Sequence, residues 1–203
     1  GSDNTSVGYE AGAAFVDDGS NTAIGSRALA TCTTSENTAI GSDSLRYLDD
    51  KNKCTAVGRG AGEHLNAVHS IAIGFQALRG ASSSNLVTGS SNIAIGVDAG
   101  DALAAGSQNI LIGENAGGVM TANHWNVIIG KDAASAATCN GNVIIGVDAG
   151  SNNSGANNIC IGKDAQPSAN DAANEITLGD ANIAKFRIPG LNTFEINDSG
   201  QFS

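Results

Sequence analysis

The chain has 203 residues, a formal net charge of −10, 27 glycines, two prolines and only 4% aromatic residues. So few aromatics exclude an ordinary globular core, which draws much of its apolar area from them, while 41% hydrophobic residues, rich in Ile and Val, exclude a disordered chain. The acidic balance argues against a nucleic-acid partner, and no run approaches the ~18 apolar residues of a membrane span, so no membrane insertion is expected.

From the first residues onward a phrase ending in Gly returns: NTSVG, NTAIG, NTAIG, CTAVG, SIAIG, NIAIG, NILIG, NVIIG, NVIIG, NICIG and EITLG. Its closing glycines are Gly8, Gly25, Gly41, Gly58, Gly74, Gly96, Gly113, Gly130, Gly146, Gly162 and Gly179, and nine of the ten intervals are 16 or 17 residues. Self-similarity at a fixed period marks a stacked-repeat architecture. The period predicts an all-β parallel solenoid of about eleven coils over residues 1–183, followed by a capping segment over 184–203.

Each phrase reads as a strand. The residues one and three before the Gly, such as Ile95 with Ile93 or Val143 with Ile145, are β-branched and lie two apart, so they share a face. That face is expected to be the interior, with Thr5, Thr22, Thr38 and Thr55 in phase with it. The residue between them then points outward: Ala23, Ala39, Ala56, Ala72, Ala94, Leu111, Ile128, Ile144 and Cys160. An apolar column of that length needs a cover, because monomers rarely expose large contiguous apolar patches. Ala23, Ala39, Ala56, Ala72, Ala94, Leu111, Ile128 and Ile144 are therefore the expected subunit interface of a symmetric homo-oligomer.

Other columns have structural meanings. The Gly allows a sharp corner or close backbone approach, and the small residue three later, from Ala11 to Ala165, fits a tight inward position. An Asn four before the Gly, from Asn4 to Asn158, predicts a ladder between stacked coils. The single long interval, 22 residues between Gly74 and Gly96, places extra loop within 80–91. The four cysteines, Cys32, Cys54, Cys139 and Cys160, lack CxxC spacing and read as buried free thiols. At the C-terminal end Phe186, Phe194 and Phe202, with Pro189 and a hairpin turn at Asp198, form the expected cap.

The phrase NxAIGxxA, clearest at Asn21–Ala28 and Asn92–Ala99, resembles the head repeat of trimeric autotransporter adhesins over about residues 4–166. That resemblance implies a left-handed parallel β-roll, three copies of which pack on a three-fold axis; the coils here are slightly longer than is usual in that family. The phrase Asn174–Asp180, followed by Phe186-Arg-Ile-Pro-Gly-Leu, resembles phage tail-fibre proteins. This implies a virion fibre adjoining further fibre domains, with a C-terminal chaperone that releases itself at a serine. The preferred expectation is a structural and adhesive segment of a trimeric viral tail fibre that contributes to host attachment. The alternatives are the head of a bacterial surface adhesin and, less favoured, an ice-binding solenoid.

No catalytic motif of the GxSxG, HExxH or P-loop kind occurs, so no enzyme and no cofactor or metal is expected. His64, His69 and His124 fall in loop phases. The column Asp98, Asp132, Asp148 and Asp164, two residues after the Gly, has a spacing compatible with paired glycosidase carboxylates or a weak cation site. A repeated turn residue is the simpler reading. Receptor contact, with a host glycan or protein, is assigned to exposed aromatics: Trp125 beside His124, and Tyr9 and Phe75 just after their glycines.

Overall fold

The computed structural model describes residues 2–16, 19–80, 86–138 and 140–184. Eleven three-residue strands form one parallel sheet in chain order: β1 Thr5–Val7, β2 Thr22–Ile24, β3 Thr38–Ile40, β4 Thr55–Val57, β5 Ile71–Ile73, β6 Ile93–Ile95, β7 Ile110–Ile112, β8 Val127–Ile129, β9 Val143–Ile145, β10 Ile159–Ile161 and β11 Ile176–Leu178. Every strand pairs with the next in unshifted register, Ala39 on Ala56 and Ile95 on Ile112, for example. The chain is a β-solenoid of about ten turns, and with strands ~4.8 Å apart the stack is on the order of 50 Å long. Coil n below means strand βn and the corner after it.

The corners explain the period. Each coil Gly adopts a φ that other residues rarely adopt, as at Gly113 (φ 133°), and a Cβ there would lie 2.5 Å from the carbonyl oxygen of Gly130 in the next coil. Both conformation and close approach therefore require glycine. The Gly N–H donates back to the preceding coil, as Gly113 N to Ile95 O at 2.8 Å, and the first strand N–H donates through its neighbour, as Ile110 N to Asn126 O at 2.8 Å.

The phase of the strands is the reverse of the sequence expectation. Ala23, Ala39, Ala56, Ala72, Ala94, Leu111, Ile128, Ile144 and Cys160 are all 0% exposed and form the interior, while the β-branched flanks are half-buried or exposed. The reason is volume. A thin coil has room inside for at most one bulky side chain where the strand faces its corner; in coils 4 and 6 both places are small, and Leu45 and Leu111 of the neighbouring coils reach Gly62 and Gly100. In coils 2, 3 and 5 the strand supplies Ala23, Ala39 or Ala72, and the fourth residue after the Gly is Leu29, Leu45 or Leu78, also fully buried. In coils 7, 8 and 9 the sizes exchange, Leu111, Ile128 and Ile144 facing Gly117, Ala134 and Gly150. A Cβ on Gly150 would sit 2.8 Å from Ile144 Cδ1. The eight residues expected at a subunit interface are thus buried within their own chain.

The small residues three after the Gly, the Leu or Met seven after it (Leu48, Leu65, Leu103, Met120) and the Asn column complete the core. The Asn ladder forms as expected: Asn92 Oδ1 accepts from Asn109 N at 2.9 Å, Asn109 Oδ1 from Asn126 N at 3.0 Å, and Asn126 Oδ1 from Asn142 N at 2.9 Å. These bonds satisfy buried backbone donors that strand pairing does not reach. Where the column reads Cys54 and Ser70, the Ser70 hydroxyl takes over and accepts from Asn92 N at 3.3 Å. The inward strand position turns polar at the two ends of the stack, at Ser6 in β1 and Thr177 in β11, as terminal repeats require.

The long interval is absorbed without breaking the stack. Val87 bridges Leu65 in parallel and is fully buried, so residues 86–91 rejoin the coil within the stretch expected to be loop. Residues 81–85, Cys139 and the expected cap, 185–203, lie outside the described residues.

Candidate functional site

The outer face of the sheet is the main surface feature. Two columns run along it, Thr5, Thr22, Thr38, Thr55, Ile71, Ile93, Ile110, Val127, Val143, Ile159 and Ile176 beside Val7, Ile24, Ile40, Val57, Ile73, Ile95, Ile112, Ile129, Ile145, Ile161 and Leu178. None of these side chains is buried, and Ile24, Ile40 and Ile73 expose 37–38% of their surface. The columns lie ~7 Å apart along each strand and extend ~48 Å along the stack. With side chains this is an apolar face on the order of 500 Å², at the upper end of what a monomer carries. Phe75, Val97 and Val147, the first residues after their glycines, widen it on one side.

The expected receptor aromatics do not converge. Tyr9 (72% exposed) and Phe75 (40%) occupy the same corner column in coils 1 and 5, four steps apart. Trp125, 63% exposed, stands on the other side of the strands, five residues before the Gly. Its indole N–H donates to Gln108 Oε1 at 2.7 Å and its ring is tilted against His124 at 5.4 Å. His124 Nδ1 accepts from Ser107 N at 3.1 Å, so this imidazole holds the loop of the neighbouring coil. Trp125 also has φ 60°, in a column that takes the left-handed conformation in every coil, including Asp3, Ser20 and Gln108.

The Asp column has a backbone origin. Asp98, Asp132, Asp148 and Asp164 have φ between 53° and 57°, a region in which Asp and Asn are the most tolerated residues after glycine. Their neighbours pair with them, Asn115 Nδ2 to Asp132 Oδ1 at 2.8 Å and Lys163 to Asp164. Among the described residues no group of His, Cys, Asp and Glu is arranged to hold a metal ion, and no helix is long and apolar enough to cross a membrane.

Cys32, Cys54 and Cys160 are buried thiols. Burial pushes the Cys54 thiol up to about 11, against a smaller opposing effect of a backbone hydrogen bond from Ser70. Its Sγ donates to Ala67 O at 3.0 Å, a structural bond within the core.

Comparison with protein-family models, with curated proteins and with solved structures gives no match. The fold thus defines the class, a parallel β-solenoid, and function must be argued from its surfaces.

Proposed function

We propose that the chain is a rigid segment of a homotrimeric fibre, of the viral tail-fibre kind, that contributes to attachment at a host surface. The observation that carries this reading is the outward face, aliphatic over eleven coils in its Val7–Leu178 column and in both columns from β5 onward. Two such faces in contact would bury on the order of 1,000 Å² in total, the level at which specific interfaces begin. Closure about a three-fold axis covers every face without leaving an open end for polymerisation. The likeness of the repeat to the heads of trimeric adhesins supports the same assembly, with left-handed coils, and a bacterial surface adhesin is the neighbouring alternative.

Light scattering behind size exclusion tests this directly. Three chains of 20.2 kDa give about 61 kDa, and the double variant Ile95→Glu/Ile129→Glu, which charges the outer face and leaves the interior untouched, should run as a folded single chain. A wild-type mass of one chain would refute the trimer.

A second reading has one observation in its favour. Thr5, Thr22, Thr38 and Thr55 point outward in a regular array, each beside a Val or Ile, which is a surface able to order water. Thermal hysteresis at millimolar protein would support ice binding, and its absence would remove that reading.

A further inference from the structure

The chain contains five arginines, and four of them, Arg27, Arg46, Arg59 and Arg79, line one cavity of about 240 Å³ on the corner after strands β2 to β5. Among the described residues the only carboxylates in its wall are Asp43 and Glu63, so that lining carries a formal +2 on a chain of −10. The second residue after the Gly has a side chain in every other coil from 1 to 10, yet it is Gly60 in coil 4. The missing side chain opens the gap between Asp43 and Gln76. A Cβ on Gly60 would meet nothing nearer than Gln76 Cγ at 3.6 Å and Glu63 Oε2 at 3.7 Å.

The arginines divide into two pairs. Arg27 Nε lies 2.8 Å from Asp43 Oδ1, and Arg46 Nη1 reaches the same oxygen at 3.4 Å, so one carboxylate is shared by two guanidiniums. Arg59 and Arg79 have no ion-pair partner among the described residues. Arg59 instead lies over the Phe75 ring, 5.7 Å from its centroid. With the Gln76 amide turned so that both of its ends are satisfied, its oxygen accepts from Arg79 Nη1 at 3.1 Å and its nitrogen donates to Asp98 Oδ1 at 3.1 Å, while Arg79 Nε is buried with no hydrogen-bond partner. His64 Nδ1 and Asn66 Oδ1, on the corner of coil 4, are also buried without partners. Such atoms are rare in folded proteins and point to a bound group or water.

Aromatic rings alternate with these cations. Arg46 lies over Tyr47 at 4.8 Å, and Tyr47 stacks on His64 at 4.9 Å. Tyr47 also lines a second cavity of about 270 Å³ with Thr31, Asp49, Asn66 and Leu86. The band is open and polar with flat apolar faces, which suits sugar rings carrying acid groups: guanidinium takes carboxylate or sulfate in a fork, and an aromatic face takes the ring. A long polyanion fits poorly, because the same corner turns acidic at Asp98, Asp132, Asp148 and Asp164.

We infer that this corner binds an acidic saccharide, its carboxylate or sulfate held by Arg59 and Arg79 and its ring laid on Phe75. The inference rests on the surface-attachment half of the proposed function and is independent of the trimer.

Calorimetric titration of the full chain tests it with four probes: oligogalacturonate for carboxylate, a short dextran sulfate for sulfate, maltohexaose as neutral control, and oligothymidylate for nucleic acid. One acidic saccharide should bind, maltohexaose should not, and affinity should fall severalfold from 50 mM to 500 mM salt. Gly60→Asn keeps every charge and fills the gap, and Asn is compatible with φ 66° there, as Asn115 is with φ 55° in the equivalent place. That variant should lose at least tenfold in affinity with an unchanged far-UV spectrum, and Arg59→Gln/Arg79→Gln should abolish binding. No heat with either acidic saccharide, equal affinity in Gly60→Asn, or tighter binding of oligothymidylate overturns the site. A fall in assembly mass in Arg59→Gln/Arg79→Gln also overturns it, by making the cluster a subunit contact. A single-chain mass for the wild type would sink the fibre and leave this site standing.

Discussion

Exchanging the two core sizes within one coil tests the inward phase of the central strand residues. In coil 9 the strand supplies Ile144 and the corner supplies Gly150; in coil 3 the equivalent places hold Ala39 and Leu45. Ile144→Ala alone empties a fully buried site and should cost about 2–5 kcal/mol. Gly150→Leu alone drives a side chain into Ile144, whose Cδ1 and Cγ2 would lie 2.8 and 3.1 Å from the new Cβ. Overpacking of about 1–3 kcal/mol then adds to about 1–2 kcal/mol for a Leu with positive φ. If the two sites were independent, the double variant would lose on the order of 6 kcal/mol by adding these figures. Because they share one volume, the double variant should recover most of the cavity and clash terms. It should retain mainly the backbone cost, which Leu45 already bears at φ 46°. The expected coupling is about 4–5 kcal/mol, the additive sum less the retained backbone cost. Urea unfolding of the four proteins at one fixed concentration, followed by far-UV circular dichroism, measures it. Strict additivity would refute the shared-volume account, and a harmless Ile144→Ala would refute the inward phase itself.

Three further outcomes follow from other columns. Gly113→Ala should destabilise by several kcal/mol or prevent folding, since it combines a strained φ with backbone contact at 2.5 Å, whereas Gly60→Ala should cost about 1 kcal/mol; comparable losses in urea unfolding would contradict the close approach. Asn109→Leu removes the acceptor of the Asn126 N–H, which lies 3.0 Å away, and should cost about 1–3 kcal/mol, with faster hydrogen exchange at the Asn126 amide; an unchanged amide rate would show that the ladder is dispensable. Cys54, with its thiol pushed up to about 11, should resist a thiol reagent at pH 8 until the chain unfolds. Its folded pKa exceeds its unfolded one, so the folded state holds the proton more tightly, and stability is lost as pH rises from about 9 towards 11. Cys54→Ser should reduce that alkaline loss in urea midpoints, and an identical pH profile would count against it.

The number of coils, their register, the corner glycines and the Asn ladder were legible because each repeats with a fixed offset from Gly. The phase of the strand was not. Alternation tells inside from outside only when the two sets differ in polarity, and here Ile93, Ala94 and Ile95 are all apolar. The usable signal was size: Leu29, Leu45 and Leu78 accompany Ala at the strand centre, and Gly117, Ala134 and Gly150 accompany Leu or Ile. Such exchange within one coil happens only between residues that meet. The arginine corner was hidden for another reason. Arg27, Arg46, Arg59 and Arg79 look scattered along the chain, but each falls one, two or five residues after its coil Gly, and stacking brings those offsets together.

In the corner column two residues after the Gly, local preference and side-chain choice agree in coils 3, 4 and 6 to 10. The second residue after the Gly is left-handed in all ten of the first coils, a demand best met by Gly, Asn or Asp. Coils 6 to 10 comply, with Asp98, Asn115, Asp132, Asp148 and Asp164. In coils 1, 2 and 5 the same place holds Glu10 at φ 54°, Arg27 at φ 58° and Gln76 at φ 57°, longer side chains that folding alone does not favour there. The backbone is otherwise alike along the stack, so the change from acidic to basic is not required by the coil. Departures from local preference concentrate where a protein binds or reacts. Here the departures at Arg27 and Gln76 coincide with the gap at Gly60, with Arg59 and Arg79, which lack an ion-pair partner among the described residues, and with the exposed ring of Phe75. The interior and the outer strand face make the rod, and the corner is free to vary, so it can carry recognition without altering either.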